Sequence, residues 1–338
     1  MYLDKNEHYH SLDLLRGISG YGVAICHFHA FYFQSSHYEY FSFLFVEFFF
    51  VLSGFVLYPQ LIEVINNNKN LIIFYKRRWL RTIPLYIFCL TLISFTFDEL
   101  FTINFFKYLF FIQDFFPNFI SNQYYPVVWS LAIEEFFYLI FPILIIFFGK
   151  KNLLLKLITL LISIYILKII FISEFDSNFY RTGTIFRFDA ILLGFLTRFF
   201  VMKVNNKILL FSLLSFSLLI FGLFEESIIN ESEDNITKFF FVLGIQIISL
   251  ITLLTFINFE KFITNMKIKK VFSLISKQTY SVYLFHLILI HLMIKIDYSG
   301  YFSTIIYCLL LFFTSSMLYY FLELPFLKIR PKIIRLNK

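Results

Sequence analysis

The stretch LLRGISGYGVAICHF, residues 14–28, has the apolar character of a membrane span but contains an arginine, Arg16, and a histidine, His27. An arginine at the bilayer centre costs on the order of 2.5–3.5 kcal/mol, and ionisable residues in spans commonly have functions. The two residues are eleven positions apart, about three helical turns plus roughly 20°, so they share one helix face. The stretch therefore predicts a transmembrane helix with a polar functional face and three glycines for close helix packing: Gly17, Gly20 and Gly22.

The composition of the whole chain predicts a polytopic membrane protein. Of 338 residues, 59% are hydrophobic and only 15% are charged, and the mean hydropathy is +0.77. Water-soluble domains of this length do not show such a balance. The three cysteines lie in apolar runs, which argues against a disulfide framework. We expect the first apolar run to remain as a membrane anchor, since the N-terminus lacks the features of a cleavable signal peptide.

Apolar runs of about 20 residues, the length that crosses a bilayer, predict ten transmembrane helices. Their approximate ranges are 12–33, 41–61, 82–98, 127–149, 153–173, 181–202, 207–224, 238–258, 278–296 and 301–323. Basic and acidic loops alternate along the chain, so the positive-inside rule places both termini in the cytoplasm. The net charge of +7 follows from this topology and does not indicate nucleic-acid binding.

The predicted fold class is therefore all-α, as a single transmembrane domain over residues 1–338 with no fused soluble domain. The longest connection, about 99–126, contains FFKYLFFIQDFF, which predicts an interfacial or re-entrant helix. No internal repeat is visible.

Polar residues recur inside the other predicted spans, where each must be paired, protonated or exposed to a water-filled cavity. Arg16 could instead snorkel to the inner interface, His27 could be a hydrogen-bonded packing residue, and Glu47 could pair with a basic group on the first span. Arg187 and Asp189, two positions apart, cannot face each other on a helix, so we expect each to have a partner on another helix. The remaining polar positions are Ser53, Tyr138, Tyr283, His286 and Glu323.

The segment YKRRWLRTIPLY, residues 75–86, contains Arg77, Arg78 and Arg81. Arg78 and Arg81 are three apart and therefore neighbours on a helix, where their guanidinium forks could bind phosphate groups. The alternative is that these charges only set the topology.

The segment YYPVVWSLAIEEFFYLIFP, residues 124–142, carries two adjacent carboxylates into a span, Glu134 and Glu135. Ser130, Glu134 and Tyr138 share a face at a spacing of four, whereas Glu135 points about 100° away. Two carboxylates in lipid are hard to explain as structural residues. In the predicted topology this segment enters the membrane from the outside, so its carboxylates are candidates for the outer side of a functional site.

These stretches, in this order, resemble the acyltransferase 3 family of integral membrane acyltransferases. The family's first-span pattern of an arginine, ten residues and a histidine is matched by Arg16 and His27, with Asp13 before them. Further matching blocks are FFFVLSGF, RRWLRTIPLY, WSLAIEEFFYLIFP, RFDAILLGF, YSVYLFH and ELPF. The resemblance covers nearly the whole chain.

The resemblance implies an enzyme of the bacterial cytoplasmic membrane that takes an acyl group, usually acetyl, from cytoplasmic acyl-CoA. The group would pass to a hydroxyl of an envelope polysaccharide, a lipopolysaccharide or a lipid-linked glycan precursor. Many relatives carry a further soluble domain, so a chain without it could need a partner for the final transfer.

The residues fit such an enzyme. Phosphates of the donor would meet Arg77, Arg78 and Arg81, and His27 would act as general base or acyl carrier. The predicted catalytic residues are His27, Glu134, Glu135 and Arg16. The predicted lining of a polar tunnel is Glu47, Ser53, Tyr138, Arg187, Asp189, Tyr283 and His286. No metal is expected, and the sequence leaves the oligomeric state undefined.

A proton-coupled transporter is the alternative from another class, because transporters also bury histidines, carboxylates and arginines near the midplane. The chain shows no repeat-like symmetry, which argues against it. A purely structural membrane scaffold leaves the buried carboxylates unexplained.

Overall fold

The computed structural model describes residues 8–34, 36–200, 234–296 and 302–334, and the isolated positions 213, 214 and 217. Within these ranges all regular secondary structure is helical and there is no β-strand. This confirms the predicted all-α class. The predicted span 207–224 lies almost wholly outside the described residues.

The helices of the first half of the chain are α1 (His10–Tyr32), α2 (Ser36–Asn66), α3 (Asn70–Thr96), α4 (Ile103–Leu109), α5 (Trp129–Phe148) and α6 (Leu153–Ile170). Those of the second half are α7 (Ser177–Thr182), α8 (Phe188–Phe200), α9 (Asn235–Phe259), α10 (Met266–Lys295), α11 (Ser303–Leu318) and α12 (Leu324–Lys328). Several begin at a side chain that accepts a hydrogen bond from a backbone N–H of the first turn. These N-caps are Thr102, Asp176, Asp234 and Asn265.

Six helical stretches among the described residues are long and apolar enough to cross a bilayer. They are His37–Asn66, Asn70–Thr96, Pro126–Phe148, Leu153–Ile170, Asn235–Phe262 and Ser303–Lys328. The protein is therefore a multi-pass membrane protein. Helices α1 and α10, of 23 and 30 residues, have sufficient length but carry more polar residues. The count of ten spans and the cytoplasmic termini stay predictions.

Two predicted elements differ from the structure. The span predicted over 181–202 is wrong as one continuous helix, because α7 ends at Thr182 and Gly183 has an extended ψ of 124°. A 3₁₀ turn, Ile185–Arg187, then leads into α8. In the connection 99–126 only Ile103–Leu109 is helical, since Phe111 adopts a positive φ of 60°, which ends helical propagation. Phe101, exposed like several aromatic residues of this connection, suits an interfacial position.

The chain divides into two compact units, residues 1–55 with 193–315 and residues 56–192 with 316–338. In the first unit α1 packs along α10, as the glycines of the opening stretch predict. A Cβ at Gly17 would lie 2.5 Å from Ile275 Cγ2, and one at Gly20 would lie 2.5 Å from Thr279 Cγ2. Only glycine permits this approach, and it brings the polar residues of α1 against those of α10.

Helix α8 approaches the backbone of α2 at Gly194. A Cβ there would overlap the carbonyl group of Val51, and backbone cannot yield as a side chain can. We expect Gly194→Ala to destabilise the protein by about 3 kcal/mol or more, since overpacking costs about 1–3 kcal/mol even where neighbours adjust. Thermal unfolding of the purified variant measures this effect.

Gly244→Ala is the matched control, because that glycine is also helical and a Cβ added to it would have no neighbouring atom within 4 Å. Alanine there should be neutral or stabilising by about 0.5–1 kcal/mol through helix propensity. Equal melting temperatures for the two variants would contradict the close approach at Gly194.

Candidate active site

In the first unit, α1 and α10 bring two buried histidines into direct contact. The Nδ1 atom of His27 lies 2.9 Å from Nε2 of His286, and the rings are stacked with centroids 5.1 Å apart. His286 is fully buried and His27 is 9% exposed. The two residues are 259 positions apart in the chain, and their pairing was not predicted from the sequence.

The hydrogen bonds of this pair define how the protons are placed. His286 Nδ1 lies 2.6 Å from the carbonyl oxygen of Tyr283, which can only accept, so this nitrogen carries the proton. In neutral His286 the Nε2 atom is then an acceptor, and His27 Nδ1 must donate to it. Neutral His27 therefore has its lone pair on Nε2. The relay Tyr283 carbonyl–His286–His27 prepares His27 to accept a proton or attack an electrophile through that atom.

The other predicted residues of the first unit are placed around these helices. Arg16 is half-buried on α1, and Asp13, one turn before it, accepts a hydrogen bond from the Ser276 hydroxyl of α10 at 3.0 Å. Glu47, on α2, is buried with 1% exposure, and Ser53 is half-buried on the same helix.

One group of side chains in the described part of the chain has spacing that a metal ion could use. The ligand atoms of His8, His10 and Asp13 lie within 4.8 Å of one another. His8 Nε2 and Asp13 Oδ2 are already paired at 2.8 Å. That hydrogen bond to Asp13 raises the pKa of His8, which explains the group as a local ion pair at the start of α1. We assign no metal to it.

In the second unit, α3 carries the predicted phosphate-binding arginines. The prediction began span three at residue 82, whereas the helix begins at Asn70, so the arginines lie within it. The guanidinium carbon of Arg78 lies 5.1 Å from the ring centroid of Tyr138 and 5.5 Å from that of Phe74. Among the described residues, the buried Nε atoms of Arg77 and Arg78 have no hydrogen-bond partner. Each Nε–H is therefore a buried donor whose acceptor is not among the described residues.

The carboxylates of α5 belong to the same cluster as Arg78. The Tyr138 hydroxyl donates to Glu134 Oε2 at 2.7 Å, and Tyr138 stacks under Arg78. Glu135 is 6% exposed, and the Thr82 hydroxyl of α3 interacts with its carboxylate. Arg78 interacts electrostatically with both Glu134 and Glu135, so the predicted phosphate-binding arginine and the two carboxylates belong to one cluster. Ser130 is buried one turn before Glu134.

A buried ion cluster surrounds Asp189 in the second unit. Lys168 Nζ of α6 lies 2.5 Å from Asp189 Oδ2, which confirms the expected partner on another helix. Arg187 Nε lies 3.7 Å from Asp189 Oδ1, so the prediction that Arg187 and Asp189 cannot face each other is wrong. Arg187 lies in the 3₁₀ turn before α8, which changes its direction. Lys168 was not predicted from the sequence, although a lysine twelve residues into the apolar run that follows Lys156 was the available signal.

The fold and these clusters define a helical multi-pass membrane protein with histidine, arginine and carboxylate groups buried among its helices. The chain belongs to the acyltransferase 3 family, since the family's model, described as an acyltransferase domain, matches residues 9–322. The chain is thus a member of a family of enzymes, as predicted.

Curated relatives include the O-acetyltransferase OatA of Staphylococcus aureus strain NCTC 8325, which is 28% identical over 361 aligned residues. The alignment covers 94% of this chain but 57% of the relative, so the chain spans little more than half the relative's length. An uncharacterized protein of Haemophilus influenzae is 32% identical over 153 residues, covering 40% of this chain and 62% of that protein. No solved structure matches the chain.

Proposed function

We propose that this protein is a membrane O-acetyltransferase that transfers an acetyl group from acetyl-CoA to a hydroxyl group of a cell-envelope glycan. The observation that carries the proposal is the His27–His286 relay, which leaves a basic nitrogen on His27 Nε2 in a chain of an acyltransferase family. The name of the OatA relative supports O-acetyl transfer. A proton-coupled transporter is disfavoured by the same family membership.

In the proposed reaction His27 is the general base. Its Nε2 atom takes the proton of the acceptor hydroxyl while that oxygen attacks the thioester carbonyl of the donor. The new C–O bond forms, the C–S bond breaks, and the proton passes to the leaving thiolate, giving an O-acetyl ester and CoA. His286 stabilises the positive charge that develops on His27 by accepting from Nδ1–H, and it is therefore a positioning residue. Arg16, on the same helix, is proposed to assist this centre electrostatically.

The arginines of α3 are proposed to bind the phosphates of the donor. The Nε atoms of Arg77 and Arg78 supply donors that the protein itself does not use, and Arg81 adds a third guanidinium one turn from Arg78. The ring of Tyr138 packs against the Arg78 guanidinium and holds it in place. The Tyr138 hydroxyl in turn donates to the Glu134 carboxylate, which fixes the ring.

The two carboxylates of α5 are proposed to orient substrate. Glu135 Oε1 is buried and makes no hydrogen bond to any described residue, so it can accept one from a substrate O–H or N–H group. The remaining predicted residues, Glu47, Ser53, Arg187, Asp189 and Tyr283, are proposed to support the polar interior. The tunnel itself stays a prediction.

The proposed location is the bacterial cytoplasmic membrane, with ten spans, a single transmembrane domain and both termini in the cytoplasm. This orientation can be tested with single cysteines introduced at two exposed loop positions, Gln123 and Lys151, in a background lacking the native cysteines. A membrane-impermeant thiol reagent added to intact cells should label the first and spare the second. The reverse pattern would contradict the positive-inside assignment.

The activity is tested by supplying the purified, reconstituted protein with acetyl-CoA labelled in the acetyl group. Envelope glycan fractions from cells lacking the protein serve as acceptors. We expect label in an alkali-labile ester on the glycan. Transport of free substrate driven by a pH gradient, without ester formation, would favour the transporter instead.

A further inference from the structure

The last described segment of the chain, residues 329–334, is held against α3 in the second unit. The side-chain amide of Asn70 donates to the carbonyl oxygen of Ile334 at 2.8 Å and accepts from the Ile334 N–H at 2.9 Å. Arg77 Nη1 donates to the carbonyl oxygen of Pro331 at 2.7 Å. Asn70 and Arg77 are two helical turns apart on one face, roughly 10 Å, which three extended residues can span. The tail is therefore fixed along α3 at two points.

This attachment brings a fourth arginine close to the three arginines of α3, Arg77, Arg78 and Arg81. Arg330 directly precedes the residue that Arg77 binds, and it is half-buried. Burial, together with the positive charges of Arg81, Arg77 and Arg78, lowers the pKa of Arg330 to about 10. Among the described residues no ion pair joins any of these four guanidinium groups to a carboxylate.

Four neighbouring guanidinium groups repel one another, and the nearby carboxylates of Glu134 and Glu135 act electrostatically on Arg78 without an ion pair to it among the described residues. This arrangement favours a ligand with several negative charges. A single carboxylate or phosphate would leave most of the charge uncompensated. The planar forks of arginine suit phosphate oxygens, and two of the buried Nε atoms already lack protein acceptors. The chemistry of the site therefore fits a polyphosphorylated group.

We propose that Arg330 is a donor-binding residue and that the tail held by Asn70 completes a four-arginine site for the polyphosphate part of acyl-CoA. The inference rests on the proposed function and extends it to a segment after the last span. Asn70 acts as a positioning residue, because its only role in the site is to hold the tail in place.

The test measures CoA binding calorimetrically to the full chain in nanodiscs of zwitterionic lipid. Arg330→Ala should weaken binding about tenfold, the effect of one lost charge-assisted contact to phosphate. Lys332→Ala is the matched control, since it removes a positive charge from the same tail, and it should change affinity less than twofold. Arg330→Lys should give an intermediate loss and serves as the test should the alanine variant fail to fold.

Asn70→Ala should weaken CoA binding with Arg330 still present, and the double variant Asn70→Ala/Arg330→Ala should be no weaker than Arg330→Ala. Additive losses would show that Asn70 acts elsewhere, which overturns its part of the proposal.

Anionic lipid headgroups have the same phosphate chemistry, so the binding measurements are repeated in nanodiscs containing phosphatidylglycerol. Arg330→Ala could change CoA affinity only in the discs that contain phosphatidylglycerol and leave it unchanged in zwitterionic discs. Arg330 would then be a lipid contact, and the inference would fail. Wild-type binding of CoA with equal binding by Arg330→Ala overturns the inference and leaves the proposed function standing. Absence of CoA binding by the wild type overturns the donor assignment itself.

Discussion

His27→Ala should reduce acetyl transfer by at least about 100-fold, because a general base contributes roughly 10²–10⁴ to the rate. Alanine removes Nε2, the nitrogen that carries the lone pair in the tautomer set by His286. The variant should still fold, because replacing the imidazole by a methyl group leaves only a small cavity beside Phe31. The measurement is the rate of label transfer from acetyl-CoA to glycan by the purified variant.

His29→Ala is the matched control on the same helix. His29 is half-buried, and its ring stacks on Phe33 and Tyr38 rather than on another histidine. We expect its transfer rate to stay within twofold of the wild type. Normal transfer by His27→Ala would remove His27 from the mechanism.

Arg78→Ala should raise the KM for acetyl-CoA by roughly 10- to 100-fold, the loss expected for charge-assisted contacts to phosphate. Arg78 is held over the Tyr138 ring, and its buried Nε has no acceptor in the described part of the protein. Steady-state kinetics over a range of donor concentrations measures the effect.

Lys76→Ala, which removes an exposed charge two residues earlier on α3, should leave the KM unchanged. Arg78→Lys should recover only part of the affinity, because a lysine offers a point charge without the fork. If Arg78→Ala leaves the KM for acetyl-CoA as unchanged as Lys76→Ala does, the arginines serve only to set topology.

Local features of the fold could be predicted from the sequence. The glycines of residues 14–28 predict a closely packed α1, because small residues at helical spacing create a groove whichever helix fills it. Apolar runs likewise predict most of the long helices, because the length and composition of a run depend only on its own residues. The break at Gly183 was missed because the predicted span 181–202 included the polar residues RTGT, 181–184, in one helix with the apolar run that follows them.

Contacts between distant segments could not be predicted in this way. Nothing in the neighbourhood of His27 indicates that its partner is His286, since a single sequence does not show which helices are neighbours. The positions of Lys168 beside Asp189 and of Arg330 near the arginines of α3 depend on such contacts as well. Asp189 was correctly expected to need a partner, since burial of an unpaired carboxylate is too costly.

The most direct test of the account compares two substitutions of His286, the residue that orients His27. Glutamine can place a side-chain oxygen near the position of Nε2 and accept from His27 Nδ1–H, whereas leucine fills similar space and accepts nothing. Acetyl transfer is measured for both purified variants under identical conditions, after equal melting temperatures have been established. We expect His286→Gln to keep a substantial part of the activity and His286→Leu to lose about 100-fold, the lower range of a general-base contribution. Equal activity of the two variants would contradict the relay and the role of His27 as the base.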